Sequence, residues 1–450
     1  MALKGLDIFK LTPKTNCKEC GNPTCMAFAM KVAQGAVTLD KCPHMGADVI
    51  AQLSEATAPP MKQIEVGTGD NAHKLGGETV LFRHEKTLVN KNLFAAKVCT
   101  CMDDAAVEAQ LAQLAHVDYE RIGERMYCEF VSVSYAGNGI DKYVALVKKA
   151  MTSKRGILLD VECPECAKAA LEVCKAEKTI LNGANAANYA EMSKVATEAG
   201  VVLGVRGANL SELFDTVTAL EKAGNKNLLL DVTGATVKET FANAVQVRRA
   251  CLKENNRTFG YPSIVDLTKI ADGDERMQSA LAAMFTLKYG SIIIMNGMSY
   301  AQALPLYGLR QNIFTDPQKP MKVAPGIYPM NGADENSPCM ITVDFALTYF
   351  VVSGEVERSQ IPVNFLITDA GGYSVLTAWA AGKLSASSIA KFFAEADIEG
   401  KIKNRTLIIP GKVAVLKGEI EDKLPGWNII VGTNEAIKIP KFLKDLTSST

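Results

Sequence analysis

Between residues 95 and 296 the chain alternates short, almost unbroken apolar runs with longer stretches whose apolar residues recur every three or four positions. The runs are Ala96–Cys99, Cys128–Val133, Ile157–Val161, Thr179–Leu181, Val201–Val205, Leu228–Val232, Thr258–Ile264 and Ser291–Met295. The longer stretches include Asp103–Ala115, Ala186–Ala199, Ser211–Ala223, Val237–Leu252 and Glu275–Tyr289. Runs of the first kind suit strands buried on both faces, and those of the second suit helices packed against them. Eight such units over roughly 220 residues predict a (β/α)₈ barrel. Asp160, Asn182, Asp231 and Asn296 end four of the runs, on the side where barrels carry their sites. No acid/base pair with a histidine accompanies them, so the barrel reads as a scaffold.

A second rhythm begins after the proline-rich stretch Pro317–Pro329. Strand-like runs stand at Met340–Phe345, Thr348–Val352, Val363–Thr368, Thr406–Ile409 and Asn428–Val431. Helical patterns follow at Val375–Ala381, Ser385–Ala396 and Glu435–Leu446. This predicts a doubly wound α/β domain of the Rossmann-like kind. Three of its strand ends are rich in small residues: Thr368–Ser374, Ile409–Val413 and Val431–Ala436. Ligands of open α/β sheets bind beyond the carboxyl ends of the strands, where glycines admit close backbone approach. A large cofactor with polar edges is expected there. A mononucleotide or a flavin would fit as well, although no GxGxxG is present.

The remaining pattern is at the N-terminus and is chemical. Lys+Arg and Asp+Glu are both 49 in 450 residues, which gives no basic excess for nucleic acid. Apolar runs such as Ile292–Met295 are far below the ~18 residues of a membrane span. Met1–Lys10 lacks a secretory h-region, so a cytoplasmic protein is expected. In that reducing setting, clustered thiols bind metal or do redox chemistry more often than they form disulfides. Cys17, Cys20, Cys25 and Cys42 have the spacing C-x₂-C-x₄-C-x₁₆-C-P, with a turn at Gly21–Pro23 and a helix over Cys25–Ala33 ending near Gly35. One knuckle, a distant fourth cysteine and a following proline favour an iron–sulfur cluster over zinc. Cys99, Cys101, Cys128, Cys163 and Cys166 read as core or incidental. The expected organisation is a cluster module over 1–57, linker and hairpin over 58–92, the barrel over 93–325 and the second α/β domain over 326–450. Ala56–Pro60 carries the linker signature and Thr79–Arg83 a strand of the hairpin.

Three segments carry a resemblance. Lys14–Cys25, Ser337–Thr342 and Thr368–Lys383, taken with the eight-unit middle, resemble the large (gamma) subunit of the corrinoid iron–sulfur proteins of the acetyl-CoA (Wood–Ljungdahl) pathway of anaerobes. Archaeal acetyl-CoA decarbonylase/synthase has relatives of that family. The resemblance implies that Cys17, Cys20, Cys25 and Cys42 bind a [4Fe–4S] cluster. It implies that Thr342, Thr348, Gly371, Gly372, Tyr373, Ser374, Val375 and Ala436 contact a cobalamin-type corrinoid. It further implies a heterodimer with a small subunit and carbon fixation by methyl transfer. The methyl group would come from methyltetrahydrofolate through a methyltransferase and go to acetyl-CoA synthase. A ferredoxin-type donor would feed the cluster, which returns Co(II) to Co(I). No histidine follows His116, so the cobalt would have no local imidazole ligand. The alternatives are a pterin-dependent methyltransferase whose barrel does the chemistry and an iron–sulfur flavoprotein electron carrier.

Overall fold

The computed structural model describes residues 5–33, 37–46, 49–50, 59–271, 273–315 and 321–448. Gly35, Pro317, and the linker as far as Ala58 lie outside them. The chain divides into two compact units, Met1–Tyr119 with Met126–Phe314, and Glu120–Arg125 with Thr315–Thr450.

In the first unit β1 (Gln63–Val66) and β2 (His73–Gly76) form an antiparallel hairpin. The run Thr79–Arg83 belongs to no strand. β3 (Leu93–Cys99) opens the barrel. A second hairpin, β4 (Asp118–Arg121) with β5 (Glu124–Tyr127), interrupts the rhythm and has too many charged positions to be seen as an apolar run. The barrel continues through β6 (Phe130–Ser134), β7 (Gly156–Asp160), β8 (Ile180–Ala184), β9 (Val202–Arg206), β10 (Leu228–Asp231), β11 (Ser263–Asp266) and β12 (Ile292–Met295). It closes in the order β10-β11-β12-β3-β6-β7-β8-β9, with every pair parallel. The seventh strand is shorter than its run, because Arg257–Phe259 makes a 3₁₀ turn and Pro262 precedes the strand.

The barrel strands are continuously apolar because the interior and the helix ring bury both of their faces. Leu228 to Leu230 and Ile292 to Met295 are all fully buried. The helices begin where a side chain takes up free N–H groups. Asp103, Asn209, Thr236 and Asp274 each accept from the backbone N–H three residues on, and Ser299 completes a capping box with Gln302.

The second unit holds a five-stranded sheet of β13 (Gly326–Met330), β14 (Cys339–Val343), β15 (Val363–Thr368), β16 (Thr406–Ile409) and β17 (Asn428–Val431). The order is β13-β15-β14-β16-β17, with β13 antiparallel at the edge and the others parallel. Pro329 tolerates that edge position because it owes the sheet no N–H on the open side. Thr348–Val352 is not a strand but part of the helix Ala346–Ser359. Its β-branched and aromatic residues favour strands only weakly. A parallel pair needs a crossover, here a helix, between β14 and β15. From β14 the chain steps to β15 on one side and to β16 on the other, so a crevice opens at the carboxyl ends of β14 and β16.

Candidate functional site

The crevice is a cavity of about 390 Å³. Its floor is the ends of β14 and β16, from Met340 to Thr342 and from Ile408 to Pro410. One wall is the helix face Leu347, Thr348 and Val351, and another is the segment Gly432–Ala436. Backbones crowd at its base. A Cβ on Gly411 would lie 2.6 Å from the Gly432 carbonyl oxygen, so only glycine permits β16 and β17 to end so close together. Among the eight residues expected to contact a cofactor, Thr342, Thr348, Ser374, Val375 and Ala436 line the cavity. Gly371, Gly372 and Tyr373 do not line it and form the loop leading to Ser374. Gly371 and Gly372 have φ of +74° and +77°, which a side chain would strain.

That loop is held from below by Asp344, the residue after β14. Its fully buried carboxylate accepts from the Ala370 N–H at 3.0 Å and the Gly372 N–H at 2.9 Å. Lys322 approaches the same carboxylate at 3.2 Å. Sequence reasoning missed Asp344, yet an acid directly after a buried strand was the available signal. It also missed Leu347 and Val351, because the segment read as a strand.

In the N-terminal module, the helices Gly5–Lys10 and Cys25–Ala33 pack around Ile8, Phe28, Ala29 and Val32, with Leu39, Cys42 and Met45 beneath. Cys25 and Cys42 are buried, Cys20 is half-buried and Cys17 is exposed. Lys14, Asn16 and Lys18, at alternate positions, all have left-handed φ, of 60°, 49° and 67°. Each such non-glycine residue costs on the order of 1 kcal/mol and persists only where its surroundings enforce it. Alternating the backbone in this way turns successive N–H groups into one concavity, a nest that favours anions, iron–sulfur clusters among them. Asn16 donates its N–H to the Cys25 sulfur at 3.4 Å and accepts the Cys25 N–H on its side chain at 2.8 Å. The Asn22 amide lies 3.7 Å from the Cys20 sulfur. N–H groups beside the Cys25 and Cys20 sulfurs fit a thiolate-held cluster. His44 and Glu19, 2.9 Å apart, stand beside Cys17.

At the carboxyl end of the barrel the flagged residues meet cations that the sequence had hidden. Arg206 bonds Asp160 at 2.6 Å, lies 3.5 Å from Asp231 and reaches Glu162 at 3.0 Å. Lys97 lies 3.4 Å from Asp266, and Lys269 lies 3.8 Å from Asp266 and 4.0 Å from Asp231. Asn182 donates to Asp231 at 3.2 Å. Burial raises the pKa of Asp231, but Lys269, Arg206 and two hydrogen bonds more than offset it and hold the group below the usual carboxylate range. The Asn296 backbone N–H donates to the Gln278 side chain at 2.9 Å. Three buried acids and three basic side chains thus neutralise one another inside the mouth.

Residues 63–443 match the family described as CO dehydrogenase/acetyl-CoA synthase delta subunit, and residues 13–44 match one described as a putative Fe-S cluster. The corrinoid/iron-sulfur protein large subunit of Moorella thermoacetica is 36% identical over 99% of both chains. The chain belongs to this family of corrinoid iron–sulfur large subunits. Acetyl-CoA decarbonylase/synthase complex subunits gamma from Methanopyrus kandleri and Archaeoglobus fulgidus are 31% and 32% identical, each over 98% of this chain and 97% of theirs. The family assignment spans the N-terminal thiols, the barrel and the crevice together, so all three belong to one inherited architecture. Among the described residues, no helix is long and apolar enough to cross a membrane.

Proposed function

We propose that this chain is a methyl carrier whose crevice holds a corrinoid and whose N-terminal thiols hold a [4Fe–4S] cluster. When bound, the corrinoid supplies Co(I), which takes a methyl group from methyltetrahydrofolate by way of a separate methyltransferase and yields it to acetyl-CoA synthase. The cluster supplies the single electron that restores Co(I), drawn from a ferredoxin-type donor. Cys17, Cys20, Cys25 and Cys42 are the cluster ligands, and the nest at Lys14–Lys18 offsets their negative charge.

The observation that carries this reading is the crevice itself. It is wide, mostly apolar, and placed at the strand-order switch of the sheet, with Thr342, Thr348 and Ser374 as polar residues in its lining. Every histidine of the chain precedes residue 117, so the sheet domain would bring no imidazole of its own to a bound corrinoid. Around the opening, Leu347, Val351, Leu376 and Ile437 expose between 45% and 66% of their surface. An apolar rim of this kind suits a subunit interface, and the small subunit is its proposed occupant.

A visible spectrum of anaerobically purified protein tests the reading directly. Corrinoid bands above broad iron–sulfur absorbance are expected. Flavin bands, or no organic chromophore at all, would end it.

Asp344→Asn provides a finer check on the crevice. The substitution removes a charged acceptor from the Gly372 and Ala370 N–H groups and so loosens the loop that presents Ser374 and Val375. Charge-assisted hydrogen bonds contribute about 1.5–3 kcal/mol, so corrinoid retention on gel filtration should weaken about tenfold or more. Unchanged retention would show that the loop does not govern the cofactor.

A further inference from the structure

Cys99 and Cys101 are joined by a disulfide at the mouth of the barrel, with Cα atoms 5.1 Å apart and one residue between them. A crosslink over so small a loop removes almost no chain entropy, because disulfide stabilisation grows with the loop enclosed. The loop is also fixed without it. Buried Thr100 between the two sulfurs donates its N–H to Ser134 at 3.1 Å. Its hydroxyl accepts from Ala136 at 2.9 Å, and its carbonyl accepts from Asn138 at 2.6 Å. A structural role therefore leaves this bond unexplained.

The local chemistry suits exchange. Cys101 is exposed and Cys99 is half-buried, so an incoming thiolate meets Cys101 first. The Cys101 N–H lies 3.1 Å from the Cys99 sulfur, a donor in place for the charge that forms there. We propose that Cys99 and Cys101 are a redox-active dithiol that exchanges two electrons with external thiols, a centre separate from the N-terminal cysteines. An external thiolate attacks the Cys101 sulfur, the Cys99–Cys101 bond breaks and its electron pair goes to Cys99. A second thiolate attacks the external sulfur of the mixed disulfide and releases Cys101. The two protons of the external thiols end on Cys99 and Cys101, and the external thiols leave as their own disulfide.

The other thiol pair of the barrel, Cys163 and Cys166, does not compete. It has a C-x-x-C spacing at a helix start, but burial and the bond to Cys166 push the Cys163 thiol up to about 11, which keeps it protonated at neutral pH. A metal site is not indicated either. Among the described residues, the convergence of three metal-binding side chains is that of Cys17, Glu19 and His44.

The test uses the full-length protein, anaerobically equilibrated across ratios of reduced to oxidised glutathione. Free thiols are then alkylated in denaturant and the peptide containing Cys99 and Cys101 is read by mass spectrometry. The expected result is a single transition with the slope of a two-electron couple, unchanged by Cys163→Ser and absent in Cys101→Ser. Cys99→Ser, which removes the leaving sulfur, should also show a glutathione adduct trapped on Cys101. A parallel arm replaces glutathione with a reduced thioredoxin-class protein. Reduction in that arm alone would identify a protein dithiol as the source, and reduction in the glutathione arm a small thiol. Alkylation of both thiols in every buffer would overturn the proposal, as would a disulfide that neither reductant reaches until the chain is unfolded. Loss of the transition in Cys163→Ser would overturn the assignment to Cys99 and Cys101.

Discussion

Cys20→Ala should abolish the [4Fe–4S] EPR signal expected of the reduced protein while the corrinoid bands of its visible spectrum persist. The two outcomes separate because the thiols and the crevice lie in different parts of the chain. Four thiolates fill a cubane cluster, and neither His44 nor Glu19 is a soft donor able to replace a lost sulfur without changing the cluster. Co(I) generated chemically should still accept a methyl group from methyltetrahydrofolate with the methyltransferase present. Reduction of Co(II) by a ferredoxin-type donor should fall to background. A chain beginning after Pro60 should show the same pair of results. An undiminished cubane signal in Cys20→Ala would refute the ligand set, and equal Co(I) formation with and without residues 1–60 would refute the reactivation route.

Asp231→Ala should lower stability by about 3–5 kcal/mol, the usual consequence of deleting one member of a buried ion pair. Asp231 is 3% exposed, and its removal leaves Arg206 and Lys269 without their shared counter-charge. The same network sets an acid limit. Asp231 and Asp160 both have folded pKa values below the ordinary carboxylate value of about 3.9. A depressed folded pKa contributes stability that is fully present above the unfolded value and is lost as pH falls through the folded one. Urea midpoints should therefore decline steeply below about pH 4 in the native chain and less steeply in Asp231→Ala. Folded Asp231→Ala protein should accept methyl groups within an order of magnitude of the native rate. A far larger loss without unfolding would give the barrel an active part in the chemistry.

The barrel was legible in the sequence because its strands are buried on both faces, which leaves runs such as Ile292–Met295 with no polar break. The hairpin Asp118–Tyr127 was not, since its charged residues erase any period. Thr348–Val352 misled for a different reason: its β-branched residues state a local preference, and the crossover between two parallel strands overrode it. At the candidate sites, the cysteine spacing pointed to a metal centre, whereas the donors around it did not stand out. Asn16 and Asn22 are ordinary polar residues until the backbone turns them toward sulfur. The barrel mouth was half visible. Asp160, Asn182 and Asp231 close strands and were noticed, while Arg206 and Lys97, within strands of otherwise apolar character, were not.

The graded exposure of the four N-terminal thiols would give the proposed cluster one open corner. Cys25 is held by Asn16, whose backbone N–H donates to its sulfur and whose side chain accepts its N–H. Cys42 rests in the apolar floor beside Leu39 and Met45. Cys17 alone of the four stands in solvent, with Glu19 and His44 at its side. A cluster held here would thus meet solvent at Cys17, with Cys25 and Cys42 sheltered behind it. Oxygen would reach it by that corner first.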